Sequence, residues 1–441
     1  MRIEQLLNRR IAVLGYGREG AAVQAVLRAR GLQPTVCAES GAVPADVPVR
    51  IGPFDEQLLD FDLLIRSPGV PVLHPALERF RATGRPIVNP TSIWLAERPD
   101  IPVVAVTGSK GKSTTASLLA HALRAGGRRV LLAGNIGSPA LEHLADEIDI
   151  AVLELSSYQL ADLQGRLALG LMTRLFPEHG DWHGGVEHYY ASKLRMADLL
   201  GGNPLLINAA DPVLVAATEA VPGRVLANRP PRSHRCGNGL VHAGVDILQA
   251  SDWALLGQHN LDNAALAFEA ALELGLSADT IVAALRSFRP LPHRLEIVAA
   301  DGAQRWINDS IATTPHATLA ALQALHAEPI VLIAGGYVRP ADWGVVIEYC
   351  RSRPLAGLVL LPNSGPGIAQ EFAAAGSDCA IPMLHAADLV EAVVAAASLA
   401  GERACIVLSP GAASFPQFRD FEDRGEQFRR AVAAYRDRST A

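Results

Sequence analysis

Three times along the chain a short β-branched apolar run breaks on glycine and gives way to an alanine- and leucine-rich stretch. IAVLGYGREG at residues 11–20 is the first, and a helical pattern follows it to Arg30. IPVVAVTGSKGKSTT at 101–115 is the second, continued by the helical run Ala116 to Ala125. The third region opens near PLPHRLEIV at 290–298 and holds the apolar runs PIVLIAGG (329–336), GLVLLP (357–362) and CIVLSPG (405–411). Short buried strands alternating with helices are how a chain builds parallel sheets covered on both faces. The fold class is therefore α/β. A chain of 441 residues exceeds one hydrophobic core, so several domains are expected. Prolines interrupt the pattern at Arg98-Pro99 and Arg289-Pro290-Leu291-Pro292, which suggests boundaries giving 1–97, 98–290 and 291–441. The stretch from Pro222 to Gly244 reads as surface strands and turns.

Composition narrows the class by exclusion. Hydrophobic residues at 49% and charged residues at 19% describe an ordered globular chain. A net charge of -6 offers no electrostatic basis for a nucleic acid or an anionic membrane as partner. Cys37, Cys236, Cys350, Cys379 and Cys405 are scattered without CxxC spacing, as expected of reduced thiols in a cytoplasmic protein. The apolar run Ile11 to Leu14 is too short for a signal peptide, and no uncharged stretch is long enough to span a bilayer.

The second unit carries the sharpest chemistry. Gly108-Ser109-Lys110-Gly111-Lys112-Ser113-Thr114 lies between a strand and a helix. Glycines there let backbone N–H groups and the helix N-terminus cradle phosphate oxygens. Lys112 brings a point charge to the outer phosphates, and the Ser113 hydroxyl can ligate Mg²⁺. The first unit is more ambiguous. Gly15-x-Gly17-x-x-Gly20 after a strand is the dinucleotide fingerprint, and Glu39 lies about where a ribose-binding acid would stand. A nicotinamide dinucleotide and some other diphosphate ligand both satisfy it. Glu154 closes the apolar run AVLEL, where a carboxylate is either a solvated strand end or a metal ligand.

Segments beyond the loop fall into a recognisable series: GNIG (134–137), ELSSYQL (154–160), EHGDWHGGVEHYYASKLRM (178–196), GQHNLDNAALA (257–267), LPHRLE (291–296), INDS (307–310) and LSPGAASFPQFRDFEDRG (408–425). In this order, over nearly the whole chain, they resemble the Mur ligases. ELSSYQL and the last three segments are most similar to the branch that adds glutamate to UDP-N-acetylmuramoyl-L-alanine. The resemblance implies three domains: a Rossmann-like UDP-binding domain, a central P-loop ATPase domain and a C-terminal Rossmann-like domain. Folylpolyglutamate synthetases share the phosphate-loop form, but that family begins directly with its ATPase domain.

The resemblance also assigns roles. ATP and Mg²⁺ are the implied cofactors, with Ser113, Glu154, His179 and Lys193 at the metal and Lys193 carbamylated. Carbamylation needs a neutral amine, hence a lowered lysine pKa. His183 and His188 are read as non-ligands. Asn263 resembles the adenine contact, and Arg294 and Asp309 resemble third-domain groups that reach ATP on closure. Arg18, Glu19, Gly20, Ser67 and Asn135 are implied at the UDP precursor, with Ser67-Pro68-Gly69 as a second contact of that domain. A monomer is expected.

The glutamate pocket departs from the family. Where NDSKATN is usual, Asn308-Asp309-Ser310-Ile311-Ala312-Thr313-Thr314 places Ile311 at the lysine. Where GGxxKxxDF is usual, Arg339 replaces lysine and Pro340 follows it. Arg339 can grip a carboxylate bidentately where lysine offers a point charge. Thr313, Arg339, Ser414 and Phe421 are the implied glutamate contacts, and Phe415-Pro416 reshapes their surroundings. The chain thus resembles the variant that adds L-glutamate, whose product needs a separate epimerase. The competing reading is the ordinary D-glutamate enzyme with Arg339 standing in for lysine.

Overall fold

The structure, a computed structural model, describes residues 1–41, 43–300, 304–337, 342–376, 381–401 and 403–439. Arg339, Pro340 and Cys379 fall outside the described residues. No helix among the described residues is long and apolar enough to cross a membrane.

The first sheet has five parallel strands in the order Val49–Ile51, Thr35–Ala38, Ile11–Leu14, Leu63–Arg66, Ile87–Val88. The second has six, also parallel: Val225–Ala227, Leu205–Ile207, Leu169–Met172, Val103–Thr107, Ile150–Glu154, Val130–Gly134. In both, the strand that precedes the glycine motif lies between two later strands, Thr35–Ala38 and Leu63–Arg66 in the first sheet, Ile150–Glu154 and Leu169–Met172 in the second. The order therefore reverses beside it, and open parallel sheets bind ligands at such points, at the carboxyl ends of the strands. The stretch after Pro222 forms an edge strand and then a three-stranded antiparallel sheet over His234–Cys236, Gly239–His242 and Val245–Gln249.

The third sheet runs Glu296–Ala300, Gln304–Asn308, Ala404–Leu408, Ile330–Ala334, Gly357–Leu360, Met383–His385. Its first pair is antiparallel and the rest parallel. Alternate residues of its central strands feed two cores. Ile307, Leu332, Leu358 and Val407 enter one, and Trp306, Val331, Val359 and Ile406 enter the other. That is the period of two expected of a sheet covered on both faces.

The chain divides into two compact units, Met1–Trp253 with His259–Phe288, and Ala254–Gln258 with Arg289–Ala441. The first two glycine motifs thus share one unit although they start separate sheets. The reason is packing: Val13, Ile65, Trp94, Val103 and Leu153 belong to one continuous buried cluster. A short helix, Pro90–Glu97, leads from the first sheet to the second. Its proline at the first turn suits the start of a helix, and Asn89 caps it by accepting from the Ser92 amide.

Candidate active site

The strand Val103–Thr107 is buried along its whole length, and a four-residue turn separates it from the helix Lys112–Ala125. The turn between them needs glycine for steric reasons. Gly108 has φ +143° and Gly111 φ +90°, both in the region that side chains disfavour. A Cβ on Gly108 would lie 2.0 Å from the Thr173 hydroxyl, and one on Gly111 would lie 2.5 Å from Asn263 Oδ1. Asn263 is therefore brought against the loop from the distant helix Gln258–Glu273, where its amide donates to Asn260 Oδ1 at 3.2 Å. Lys112 folds back over the turn and donates to the carbonyls of Gly108 and Ser109, at 3.0 Å each. Ser113 stands half-buried and Thr114 buried in the first helical turn, and Lys110 pairs with Glu178 at 2.7 Å.

Register then places an acid at the loop. Val106 pairs with Glu154 on the neighbouring strand, one residue before the first strand ends. Glu154 is 1% exposed. Its Oε1 accepts from Asn135 Nδ2 at 2.8 Å, while Oε2 is buried without a hydrogen-bond partner. A buried carboxylate oxygen is costly unless something neutralises it. That orphaned oxygen beside a phosphate loop fits a divalent cation. Among the described residues no three His, Cys, Asp or Glu side chains gather at one point. Such a cation would thus draw oxygens from other groups, which is usual for Mg²⁺ with phosphates and water.

Lys193, on the helix Val186–Leu194, is 2% exposed and donates to the Gly108 carbonyl at 2.8 Å. Burial, reinforced by the charge of Lys112, holds its amine well below the ordinary lysine range. His179 sits in a left-handed turn at φ +54°, its ring centroid 5.1 Å from that of Tyr158. Burial lowers its pKa and favours the neutral imidazole a metal requires. His183 is different. Its ring nitrogens lie 2.9 Å from Ser157 Oγ and 3.2 Å from Ser192 Oγ, so hydroxyls occupy both. His188 is exposed.

The N-terminal glycines approach the same place. Gly15 has φ +80°, and a Cβ on Gly20 would lie 2.1 Å from the Gly15 carbonyl, so only glycine lets the helix start this close to the turn. Ser67 Oγ donates to that carbonyl at 3.2 Å. Arg18 reaches the Gly137 carbonyl in the GNIG segment. Glu19, its carboxyl pushed up by burial, accepts from Gln159 Nε2 at 2.7 Å. Asn135 in turn donates to Glu154, the acid whose strand pairs with the one leading into the phosphate loop. Glu39, by contrast, is exposed, with His74 Nε2 at 3.9 Å. Two grooves of about 490 and 470 Å³ line the far sheet edge around Val225–Arg232 and Glu269 and contain none of these residues.

In the second unit, the loops after Gln304–Asn308, Ala404–Leu408 and Ile330–Ala334 converge at the carboxyl ends of adjacent strands. Arg424 stitches them. Fully buried, it donates to Ser310 Oγ at 3.0 Å, the Ser310 carbonyl at 2.7 Å and the Ala412 carbonyl at 3.0 Å. Ser310 Oγ donates to the Phe421 carbonyl at 2.7 Å. Ser414 is buried, Phe421 half-buried and Thr313 exposed around this cluster. Arg294 is half-buried with its Nε unpartnered. Asp309 is buried, accepting from Ser409 Oγ at 2.8 Å and the Leu295 amide at 3.2 Å, and burial pushes its carboxyl up to about 7. Sequence reasoning missed Arg424, and also Tyr189, whose hydroxyl donates to Ser109 Oγ at 2.9 Å. Buried polar side chains of this kind carry no local pattern.

A glycine turn closed by a lysine, with a buried acid on the adjacent strand, is the apparatus of a nucleotide-dependent phosphoryl-transfer enzyme. The similarities to known proteins narrow that class. Residues 9–89 match the family described as Mur ligase MurD-like, N-terminal domain, residues 106–271 the Mur ligase middle domain, and residues 293–412 the Mur ligase, glutamate ligase domain. The chain is 37% identical over 454 residues, 97% of its length and 96% of the relative's, to UDP-N-acetylmuramoyl-L-alanine--L-glutamate ligase of Xanthomonas axonopodis pv. citri. In fold it resembles UDP-N-acetylmuramate-alanine ligase MurC of Thermotoga maritima, with a TM-score of 0.60 and 17% identity, covering 98% of this chain and 100% of that one. It also resembles MurF ligase of the same organism, solved in complex with ADP, with a TM-score of 0.59 and 15% identity over 98% and 99% of the two chains. The chain belongs to the Mur ligase family and is an ATP-dependent, amide-forming ligase. The dinucleotide reading of Gly15-x-Gly17-x-x-Gly20 gives way to the family's own N-terminal domain.

Proposed function

We propose that this chain joins L-glutamate to UDP-N-acetylmuramoyl-L-alanine, forming ADP and phosphate, as a step in peptidoglycan precursor synthesis. A carboxylate is a poor electrophile, so the alanyl carboxylate first takes the γ-phosphoryl group of ATP. The glutamate amine then attacks the acyl carbon. The bond to phosphate breaks, phosphate departs with the electron pair, and the amine loses its proton. Lys112 neutralises phosphate charge that develops over the Gly108–Thr114 turn. Gly108, Ser109, Lys110, Gly111, Ser113 and Thr114 bind the phosphates, and Asn263 borders the nucleotide. Arg18, Glu19, Gly20, Ser67 and Asn135 hold the precursor.

Ser113, Glu154, His179 and Lys193 would hold Mg²⁺, which would shield the crowded phosphate oxygens. We assign a carbamate to Lys193: its neutral amine adds to CO₂ and releases a proton, which turns a buried amine into a carboxylate-like oxygen donor. The observation that supports this part of the reading is the convergence of Lys112 and Lys193 on one carbonyl, that of Gly108. An ammonium on Lys193 would repel that of Lys112, which favours the neutral amine that carbamylation needs, and the resulting anion would attract Lys112 instead.

We assign Thr313, Ser414 and Phe421 to the amino acid, and add Arg339, which lies outside the described residues, on the sequence resemblance alone. The choice of L-glutamate rests on the name of the relative at 37% identity and on the replacement of both expected lysines, at Ile311 and Arg339. A product with L-glutamate requires a separate epimerase downstream. Parallel assays with the two pure enantiomers test the choice. A kcat/KM for L-glutamate at least about tenfold above that for D-glutamate is expected, and the opposite preference overturns it.

A further inference from the structure

We propose that Trp182 is a positioning residue that relays occupancy of the Ser67-Pro68-Gly69 turn to the phosphate loop, so that precursor and nucleotide favour each other's binding. The proposal rests on the ligase reading above, since it takes the turn as a precursor contact and the loop as a nucleotide site.

The relay is built from contacts within one compact unit. At its first end the Trp182 indole N–H donates to the Gly69 carbonyl at 3.2 Å, across 113 positions of sequence. The ring is fixed as well. Tyr158 stacks on it with centroids 4.3 Å apart and planes at 29°, and the guanidinium of buried Arg66 lies over it at 5.9 Å. His183 meets it edge-on at 4.5 Å. Arg66 also donates to the carbonyls of Ser67 and Pro68, at 3.2 and 3.3 Å, and to that of Tyr158 at 2.8 Å. The turn, Tyr158 and Trp182 are thereby one packed body, and close-packed side chains shift together or not at all.

At its other end Trp182 belongs to the one-turn helix Gly180–His183, entered through the left-handed His179. Immediately before it, Glu178 pairs with Lys110 of the phosphate loop at 2.7 Å. A displacement of Gly69 by a ligand thus passes through Trp182 to His179 and Glu178, and from Glu178 to the loop. The indole N–H is on a half-buried side chain with water as an alternative partner. Its bond to Gly69 therefore adds little to stability and more to alignment. The signals for Trp182 and Tyr158 in sequence are weak, because neither bears a group that reacts.

The test is a binding cycle on the full chain. Calorimetry gives the Kd of a non-hydrolysable ATP analogue with Mg²⁺, alone and with saturating UDP-N-acetylmuramoyl-L-alanine. In the unaltered protein the precursor should tighten nucleotide binding by on the order of tenfold. Trp182→Phe keeps the stack and removes the N–H, and Glu178→Gln breaks the ion pair at the other end. Each should bring the factor close to 1, and the double variant should lose nothing more. A purely structural role would lower the melting temperature of Trp182→Phe and leave the factor intact. A retained tenfold factor in either folded variant overturns the relay, as does a factor of 1 in the unaltered protein when both ligands bind. Should Trp182→Phe not fold, Glu178→Gln alone decides. If the precursor does not bind the unaltered protein at all, the ligase reading falls, and the relay with it.

Discussion

Arg66 and Asp162 lie 96 positions apart and are joined by two hydrogen bonds of 2.6 and 2.7 Å, the arginine fully buried at the end of one sheet and the aspartate in the loop after Gln159. Asp162 also accepts from Asn89 Nδ2 at 2.8 Å. Asp162 is partly exposed and Arg66 is fully buried, so removing the aspartate leaves a buried charge uncompensated. Asp162→Ala should therefore destabilise the chain by about 3 kcal/mol or more. Urea unfolding at neutral pH measures this, and a loss below about 1 kcal/mol would mean that solvent or the neighbouring carbonyls already satisfy Arg66.

Lys112→Ala should lower kcat/KM for amide formation by at least about 100-fold. Binding of the UDP precursor should stay close to normal, because the contacts proposed for it lie on the Gly15–Gly20 and Ser67–Gly69 turns. Turnover near that of the unaltered enzyme would remove Lys112 from the phosphoryl transfer.

Lys193→Ala should be almost inactive, and short carboxylates such as acetate should restore part of the activity by supplying the oxygen ligand. The unaltered enzyme should also lose activity when CO₂ is stripped and regain it with bicarbonate. Indifference to both treatments would end the carbamate assignment.

Asp309 titrates near 7 when folded, because burial outweighs the bonds from Ser409 and Leu295 and the charge of Arg294. Between its unfolded value of about 4 and 7, the native state keeps a proton that the unfolded state releases. This group thus favours the folded state fully below about pH 4, and its contribution falls as pH rises to 7. Asp309→Asn lacks that titration. Its stability relative to the parent should improve steadily between pH 4.5 and 7, by up to roughly 1 kcal/mol per pH unit, and level off above. Melting curves at several pH values check the slope; a difference that is constant with pH would place the carboxyl in a more polar setting.

The strands and glycine turns were legible from the start. A run such as Val103 to Thr107 followed by Gly108 and Gly111 declares its own conformation, because β-branching and positive φ are local demands. Position on the sheet was less legible. Glu154 could be a solvated strand end until the pairing with Val106 placed it beside the loop. Long-range polar contacts were not legible at all. Nothing near Arg66 in sequence announces Asp162, and nothing near Ser109 announces Tyr189. Around Pro99 the chain passes from one sheet to the next, yet Trp94 and Ile101 join the two sheets in one core, which an apolar count on either side of the proline does not reveal.

Ala254–Gln258 belongs to the second compact unit, although residues on both sides of it belong to the first. Leu256 packs on the core that contains Leu332, Leu358, Cys405 and Val407. Order of synthesis gives this a meaning in time. At about 5–20 residues per second, Leu256 leaves the ribosome on the order of ten seconds before Val407 exists. During that interval the segment has no core to enter, while every described strand of the first unit is already made. A nascent chain therefore carries this apolar strap exposed for most of the making of the second unit, the stage at which protection by a chaperone would matter most.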